Sequence, residues 1–294
     1  MKIQTLSMVI GNHKCNARCP FCVSKMTHDE GIRDYGMDTE GTHPQYFRRF
    51  KSACDYAKDC GVSTVLLTGK GEPTLHPVEI SRTVGRLKAW NFPFVELQTN
   101  GIRFHTHEKD YDEFMGVWSH DGLTTICLSV VHWMPTMNAE IYGMGYPLGK
   151  VVDRLHDRGF SVRITCMLVK GYIEHVGDVE NMIQWCQDHK VEQLTIRNIK
   201  RPEVCKDYNI SRFVADHALD PSQIEEIKNE LDYEGTRLME LMHGAIVYDY
   251  HGQNVCLSDC LTIDPTRNDE LRQLIFFPDG HLRYDWQYSG AILL

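Results

Sequence analysis

Apolar and polar positions alternate in two different rhythms along the first 200 residues. Short runs rich in Val, Ile, Leu and Thr, typical of buried strands, are separated by longer segments in which apolar residues recur at helical spacing. The predicted strands span residues 3–10, 63–69, 94–100, 124–131, 161–169 and 192–199. The predicted helices between them span residues 44–60, 77–91, 107–118, 148–158 and 178–189. Six β/α repeats of this kind predict an α/β protein with a parallel sheet.

The predicted strands are almost continuously apolar, as in "STVLLTG" at residues 63–69. Parallel strands of this composition are typically buried on both faces, and we expect the same here. Six such strands form either an open doubly wound sheet or a partial barrel. Periodicity alone does not choose between these two folds.

The β/α alternation stops after residue 200. Asp220 is an N-cap candidate, Pro221 occupies the first helical position, and Gly244 lies beyond the end, which together predict one long helix. Two later segments are predicted to form hairpins, because His-Gly and Asp-Gly pairs at residues 251–252 and 279–280 favour tight turns.

The predicted elements divide the chain into a core at residues 1–200 and a small α+β extension at residues 201–294. We expect the extension to pack on the core and to cover its mouth. The start of the chain lacks the pattern of a secretory signal, and no window of about 18 residues is apolar enough to span a membrane. These features predict a soluble, cytoplasmic protein.

The formal net charge is -9, with a pI near 5.9. Sequence-independent nucleic-acid binding requires a broad basic surface, so this balance argues against nucleic acid as a partner. A short basic group, Arg48, Arg49 and Lys51, lies in a predicted amphipathic helix and is best explained as a solvated helix face.

Three cysteines stand close together near the start of the chain, in the segment "CNARCPFC". Cys15, Cys19 and Cys22 follow the first predicted strand, at the edge where α/β folds bind ligands. The chain has 11 cysteines and no sign of export, which disfavours disulfides. A zinc site needs a fourth ligand, for which only His13 or His28 is near. Three thiolates instead suit a [4Fe-4S] cluster with one iron left open.

The C-x3-C-x2-C spacing, with an aromatic residue before the third cysteine, resembles the motif of the radical S-adenosylmethionine (SAM) superfamily. The resemblance extends over about residues 3–200 and implies a partial (β/α)6 barrel. It also implies that the open iron binds the amino and carboxylate groups of SAM. The resemblance therefore favours the partial barrel over the open doubly wound sheet.

A second segment, "LLTGKGEPTLHP", is similar to the family's Gly-Gly-Glu motif, which holds the amino group of the methionine moiety. Gly69 and Gly71 permit a close backbone approach, and the Glu72 carboxylate is suited to accept hydrogen bonds from an ammonium group. Lys70 stands where the family has the first glycine of the pair. A Gly-x-Gly-Glu-Pro turn without any ligand is the plain alternative.

Weaker similarities follow at the ends of later strands. Gln98, Asn100 and Ser129 correspond to polar positions that contact SAM in the family, and Arg163 or Lys170 could face its carboxylate. Each has an ordinary structural explanation: Asn100 with the next glycine forms a good turn, and an arginine on a strand can extend to solvent.

The resemblance implies a radical reaction. A reduced cluster cleaves SAM to methionine and a 5′-deoxyadenosyl radical, which abstracts hydrogen from the substrate; an apolar barrel interior suits that task. The electron would come from a donor such as flavodoxin or ferredoxin. Residues 167–199 resemble the molybdenum-cofactor GTP cyclase branch, which suggests a small, nucleotide-like substrate.

Three further cysteines lie beyond the predicted core: Cys205, Cys256 and Cys260. Members of the cyclase branch carry a second cluster on C-terminal cysteines, although the spacing here differs from theirs, and buried structural cysteines are the alternative.

Two other functions also remain open. One is a radical SAM enzyme that modifies a peptide or RNA, and the other is a non-catalytic metal-binding scaffold that retains the fold.

Overall fold

A computed structural model describes residues 2–27, 44–202, 205, 207–241, 244–258, 270–288 and 290–294. The first part of the chain contains, in order, β1 Lys2–Val9, α1 Val23–Met26, α2 Pro44–Asp59, β2 Thr64–Thr68, α3 Pro77–Leu87, β3 Phe94–Thr99, α4 Ile102–Thr106, α5 Glu108–Asp121, β4 Thr125–Val130, α6 Pro135–Tyr142, α7 Leu148–Asp157, β5 Ser161–Leu168, α8 Val176–Asp188 and β6 Gln193–Asn198. The C-terminal part contains α9 Tyr208–His217, α10 Pro221–Glu234, β7 Thr236–Glu240, β8 Ile246–Tyr250, β9 Gln253–Ser258, β10 Glu270–Phe276 and β11 Leu282–Arg283.

All of these strands belong to one sheet, in the order β11-β10-β1-β2-β3-β4-β5-β6-β9-β8-β7. The strands β1 to β6 are parallel and adjacent in chain order, so the predicted β/α repeats are confirmed. The sheet curves as in a (β/α) barrel but does not close, because β11 and β7 form its edges among the described residues.

The strands of the C-terminal segment extend both edges of the core sheet. β10 pairs in parallel with β1, and β9 pairs in parallel with β6. Both predicted hairpins are confirmed: β8 turns into β9 at His251 and Gly252, which have positive φ angles, and β10 turns into β11 around Gly280. The two hairpins therefore lie at opposite edges of the sheet.

The helix predicted to continue from Pro221 to Gly244 is wrong in its second half. The helix α10 ends at Glu234, and Thr236–Glu240 forms the edge strand β7 instead. Gly235 ends the helix, and the exposed residues after it pair with β8. Helical spacing in "LMELM" is short enough to fit either structure, so sheet pairing decides.

The expected burial on both faces is found along β4, where every residue except Ser129 is buried, but not along β5. Burial along β5 alternates strictly: Val162, Ile164, Cys166 and Leu168 are fully buried against the helices, and the residues between them are more accessible. The other face, which we call the concave face, is polar and carries Glu96, Gln98, Cys127, Ser129, Arg163, Thr165, Thr195 and Arg197. The barrel interior is therefore not the apolar cavity that strand composition suggested.

α9 lies over the loop that follows β1, where the Phe213 ring is 6.3 Å from the Phe21 ring, centroid to centroid. Within the residues that the structure describes, no helix combines the length and the apolar character needed to cross a bilayer.

Candidate functional site

The three cysteines of the N-terminal motif lie on one loop at the carboxyl end of β1. Cys15 is exposed, and Cys19 and Cys22 are half-buried. Cys22 stands immediately before α1. The loop is held by a hydrogen bond from the Arg18 amide to the Tyr142 carbonyl, at 3.0 Å. Phe21, the aromatic residue of the motif, packs edge-on against the Tyr142 ring. The motif aromatic therefore anchors the loop on α6.

The three thiols are close enough to influence one another. Burial, and then the neighbouring Cys22 and Cys15, raise the pKa of Cys19 to about 12. Burial likewise raises the pKa of Cys15, with Glu72 and Cys22 adding to the effect. Cys15 and Cys19 are therefore protonated in the free chain, and a metal that binds them would have to displace their protons.

A [4Fe-4S] cluster fits this set of donors. In the described part of the chain, no three His, Cys, Asp or Glu side chains converge as ligands of a single metal ion. A cubane binds each thiolate on a different iron atom, so its ligands surround the cluster and do not meet at one point. Three soft thiolates on a partly accessible loop match that requirement.

The two glycines of the second motif permit contact between β2 and the cysteine loop. A Cβ atom on Gly71 would lie 2.2 Å from the Lys14 carbonyl oxygen and 2.5 Å from that of Asn12. A Cβ atom on Gly69 would lie 2.9 Å from the Ile10 carbonyl oxygen. The turn after β2 therefore packs directly on the backbone that leads to Cys15, and only glycine allows this approach.

Glu72 is buried between these two loops, with 4% of its surface exposed. Its Oε1 accepts hydrogen bonds from the amide and the hydroxyl of Thr74 and from the hydroxyl of Thr99, at 2.9, 2.5 and 2.6 Å. Its Oε2 accepts from the Asn100 amide at 3.0 Å. Burial raises the pKa of Glu72, and these hydrogen bonds oppose the rise. Glu72 thus ties the end of β3 to the turn after β2.

Asn100 connects this network to the cysteines. Its Nδ2 donates to the Asn16 side-chain oxygen at 2.8 Å and lies 3.9 Å from the Cys15 sulfur. Its Oδ1 accepts from the Ile102 amide at 3.1 Å, so the predicted turn is also present. The Tyr146 hydroxyl donates to the Asn100 carbonyl at 2.9 Å. The side-chain nitrogen of Asn16 is buried without a hydrogen-bond partner, beside Cys15.

Lys70, the departure from the family motif, turns away from solvent. It is 5% exposed, and its ammonium group donates to the Thr27 hydroxyl at 2.5 Å. Thr27 ends α1, the helix that begins after Cys22. The turn after β2 therefore contacts the cysteine motif on both sides, through Gly71 before Cys15 and through Lys70 after Cys22.

The other predicted cofactor residues lie at different depths. Ser129 is in register with Thr165 near the end of β4. Gln98 and Arg163 lie deeper on the concave face, where both donate to the Glu96 carboxylate. The structure therefore does not place Arg163 or Gln98 in contact with the cysteine network.

Lys170, the alternative to Arg163, lies outside this network as well. Its ammonium forms an ion pair with Asp220 at 3.0 Å, where α10 begins. The Asp220 side chain also accepts from the Gln223 backbone amide, and the Asp220 amide donates to Gln223 Oε1 at 3.0 Å, which forms a capping box at that helix start. Lys170 thus contacts the C-terminal segment and has a partner there.

The possible second cluster was predicted on three C-terminal cysteines. Cys205 is half-buried, and its thiol donates to the Asp207 carbonyl at 3.3 Å. Cys256 is buried on β9 beside Ala245 and Val247. Cys260 lies outside the described residues. The auxiliary cluster stays a prediction.

Several residues of the site were not predicted from sequence. Thr74, Thr99 and Asn16 complete the network around Glu72 and Asn100. Glu96 is buried in the middle of β3 and binds Arg163. The one signal in the sequence was a charged residue inside the apolar run "FVELQT", which marks a buried carboxylate in need of a partner.

Searches against family profiles and against curated proteins return no match to this sequence. Solved structures do match. SuiB from Streptococcus suis, bound to its precursor peptide SuiA, is 14% identical with a TM-score of 0.61, over 97% of this chain and 60% of SuiB. The chain thus spans little more than half of that protein. SuiB has also been solved with SAM, at the same TM-score.

Two further structures share the fold. A radical SAM methyltransferase from Sphaerobacter thermophilus is 12% identical with a TM-score of 0.54, over 86% of this chain and 66% of that one. Coproporphyrinogen III oxidase (HemN) from Escherichia coli, described as a radical SAM enzyme, is 15% identical with a TM-score of 0.51, over 82% of this chain and 54% of HemN. The prediction of a radical SAM fold is confirmed, and the resemblance to the GTP cyclase branch stays a prediction.

Proposed function

We propose that this chain is a radical SAM enzyme that holds a [4Fe-4S] cluster on Cys15, Cys19 and Cys22. The observation that carries the proposal is the hydrogen-bond network at the barrel mouth. There, Glu72 and Asn100 connect the ends of β2 and β3 to the cysteine loop. A lone metal-binding loop would not need this coupling to the strand ends.

When bound, the cluster supplies the electron that cleaves SAM, and the resulting 5′-deoxyadenosyl radical removes a hydrogen atom from the substrate. The chain's own contribution is binding and orientation. Gly69 and Gly71 let the turn after β2 pack on the cysteine loop, which holds the proposed cofactor-binding residues in position. Asn100 and Ser129 are proposed to hydrogen-bond SAM from the ends of β3 and β4.

Glu72 is proposed to act mainly as a positioning residue. Its carboxylate already accepts four hydrogen bonds from the chain, three on Oε1 and one on Oε2. Only Oε2 retains capacity for a further donor, such as the ammonium group of SAM. Its larger effect is to fix Asn100 and the turn after β2.

The proposed substrate is a small polar molecule, and the proposed electron donor is a protein such as flavodoxin or ferredoxin. The polar concave face below the mouth supports a substrate with hydrogen-bonding groups, which a nucleotide-like molecule has. Nucleic acid is a poor candidate because a net charge of -9 argues against the broad basic surface that binds a polynucleotide backbone.

A peptide is the second candidate substrate. It is favoured by the shared fold with SuiB, whose structure contains a precursor peptide. The two classes differ in protease sensitivity. If an ultrafiltered cell extract stimulates 5′-deoxyadenosine formation, protease treatment of the extract should leave that stimulation intact for a small molecule and abolish it for a peptide.

The primary test is SAM cleavage by protein reconstituted without oxygen. We expect about four irons per chain, a cluster EPR signal that changes when SAM is added, and 5′-deoxyadenosine formed with dithionite. Cys19→Ala should lose both iron and cleavage. Cys60→Ala is the matched control, because Cys60 is also half-buried but precedes β2 at the opposite end of the sheet.

Retention of cleavage in Cys19→Ala would contradict the proposal. Failure of competent wild-type preparations to take up iron and sulfide would favour the non-catalytic scaffold. About eight irons per chain would instead support the second cluster on the C-terminal cysteines.

A further inference from the structure

The concave face carries a buried ion pair that the mouth network does not use. Arg163 on β5 donates from Nη1 to Oε2 of Glu96 on β3, and from Nη2 to the Thr195 hydroxyl on β6 at 3.2 Å. Gln98 donates to Oε1 of Glu96 at 3.1 Å. We call these four residues the polar floor. Both oxygens of Glu96 are therefore satisfied by the chain, and the residue is 3% exposed.

Arg163, in contrast, retains donor capacity. A guanidinium group has five N–H donors, and the chain uses Nη1 and Nη2. The Nε atom is buried and has no hydrogen-bond partner among the described residues. Leaving such a donor unpaired costs free energy, so an acceptor is expected to complete the site.

Arg163 also borders an open space. Protein surrounds the residue on almost all sides, yet 30% of its side-chain surface remains accessible. The accessible part of the side chain is therefore open to a ligand. Burial alone would lower the pKa of Arg163, but Glu96 outweighs burial and keeps the pKa above its usual value. The group is therefore charged at any working pH.

The polar floor lies below the mouth. Gln98, Cys127 and Arg163 are in register across β3, β4 and β5 and form one row of the sheet. Asn100 lies two residues beyond Gln98, toward the mouth. Neighbouring side chains on one face of a strand are about 7 Å apart, so the Arg163 row lies about that distance deeper than Asn100. A ligand that reaches Arg163 extends past the cofactor position into the barrel.

The guanidinium chemistry of this surface suits an oxyanion. Arg197 on β6 shares the concave face with Arg163, because it pairs in register with Met167. At the concave positions of β1 to β6, Glu96 is the one carboxylate, and Arg163 is its ion-pair partner. Guanidinium groups bind carboxylate and phosphate through directed, planar hydrogen bonds.

We propose that Arg163, held in place by Glu96 and Thr195, binds a carboxylate or phosphate group of the substrate, not the carboxylate of SAM. This inference rests on the proposed function, because it takes the mouth as the cofactor site. It makes Arg163 a specificity residue and narrows the substrate class to small molecules that carry an oxyanion.

The test is NMR on the oxidised holoprotein labelled with 15N-arginine. The Arg163 Nε–H resonance is assigned by its loss in Arg163→Lys. Sodium acetate and sodium phosphate are titrated separately, with sodium chloride added to keep the ionic strength constant. We expect a saturable shift of this resonance, and the probe that gives the larger response tells carboxylate from phosphate.

Arg154 provides the matched control within the same spectrum. Its Nε donates to Asp112 at 2.8 Å and its Nη1 donates to the Phe104 carbonyl at 2.5 Å, so its resonance should not saturate with either anion. If Arg163→Lys does not fold, the double variant Glu96→Gln/Arg163→Met serves for assignment, because it leaves no unpaired buried charge. Absence of a saturable shift at Arg163, or an equal response at Arg154, overturns the proposal.

A second titration separates this inference from the proposed function. SAM is added first, and acetate or phosphate follows. A continued response of Arg163 to the anion in the SAM-saturated protein supports the proposal. A shift that saturates with SAM alone assigns Arg163 to the cofactor and overturns it. If the protein does not bind SAM, the proposed function fails, while the anion titration still reports on Arg163.

Discussion

Two buried carboxylates on neighbouring parts of the sheet are stabilised in different ways. Glu72 at the mouth is 4% exposed and accepts hydrogen bonds from Thr74, Thr99 and Asn100, with no cation among these partners. Glu96 on the polar floor is 3% exposed and binds the charged Arg163. The first arrangement fixes loops relative to one another, whereas the second holds a guanidinium group ready for a ligand.

The largest loss of stability is expected when the carboxylate of Glu96 is removed. Glu96→Ala leaves Arg163 buried without a counter-charge, which should lower the free energy of unfolding by about 4 kcal/mol. Urea unfolding followed by circular dichroism measures this loss. Glu96→Gln/Arg163→Met should recover most of it. As a control, Lys51→Ala breaks an exposed pair with Asp55 and should cost less than about 1 kcal/mol.

Equal losses for Glu96→Ala and Lys51→Ala would remove the distinction between the floor and an ordinary surface pair. A double variant that is no more stable than Glu96→Ala alone would show that the cost comes from lost packing and not from the unpaired guanidinium.

At the mouth, backbone contact should matter more than charge. Gly71→Ala places a Cβ atom against two carbonyl oxygens of the cysteine loop, so the loop has to move. We expect a loss of about 3 kcal/mol in unfolding free energy and reduced iron uptake on reconstitution. Gly116→Ala in α5 is the control, because its Cβ atom would meet nothing within 4 Å. Normal iron uptake by Gly71→Ala would contradict this account of the turn.

A smaller effect is expected from Glu72→Gln. The amide group replaces one acceptor oxygen by a donor, which then faces a donor of Thr74, Thr99 or Asn100. We expect a loss of about 2 kcal/mol in unfolding free energy. Because Glu72 has no cation among these partners, the loss should be smaller than that of Glu96→Ala. A larger loss for Glu72→Gln than for Glu96→Ala in urea unfolding would contradict the proposed difference between mouth and floor.

The smallest effect is expected at the rim of the polar floor. Gln98→Leu removes one hydrogen bond to Glu96 and leaves the ion pair with Arg163 in place. A loss of about 1 kcal/mol in unfolding free energy follows. Differential scanning calorimetry beside the wild-type protein checks it, and a loss as large as that of Glu96→Ala would mean that Gln98, not Arg163, holds the carboxylate.

The sequence predicted the mouth better than the floor. Cys15, Gly71, Glu72 and Asn100 stand in short motifs, and the structure brings all four together. Glu96 and Arg163 are separated by 67 residues and belong to no motif. The sequence indicates Arg163 only as a candidate cofactor ligand, and its actual partner depends on which strands are neighbours.

The sequence by itself determined the parts that depend on local spacing: the six β/α repeats, the cysteine loop after β1 and the turn after β2. Apolar periodicity and glycine placement act over a few residues, so they can be recognised in one dimension. The same local signals placed the end of α10 wrongly, because helical spacing there competes with sheet pairing.

Only the tertiary structure decided where the C-terminal strands go and what the barrel interior contains. β10 joins β1 across a separation of 268 residues, as Lys2 pairs with Glu270, and β9 joins β6. Runs such as "SVRITCML" look apolar in sequence, yet their polar members all point to the concave face. Strand order and sheet curvature determine which side chains meet there, because those contacts are made between segments far apart in the chain.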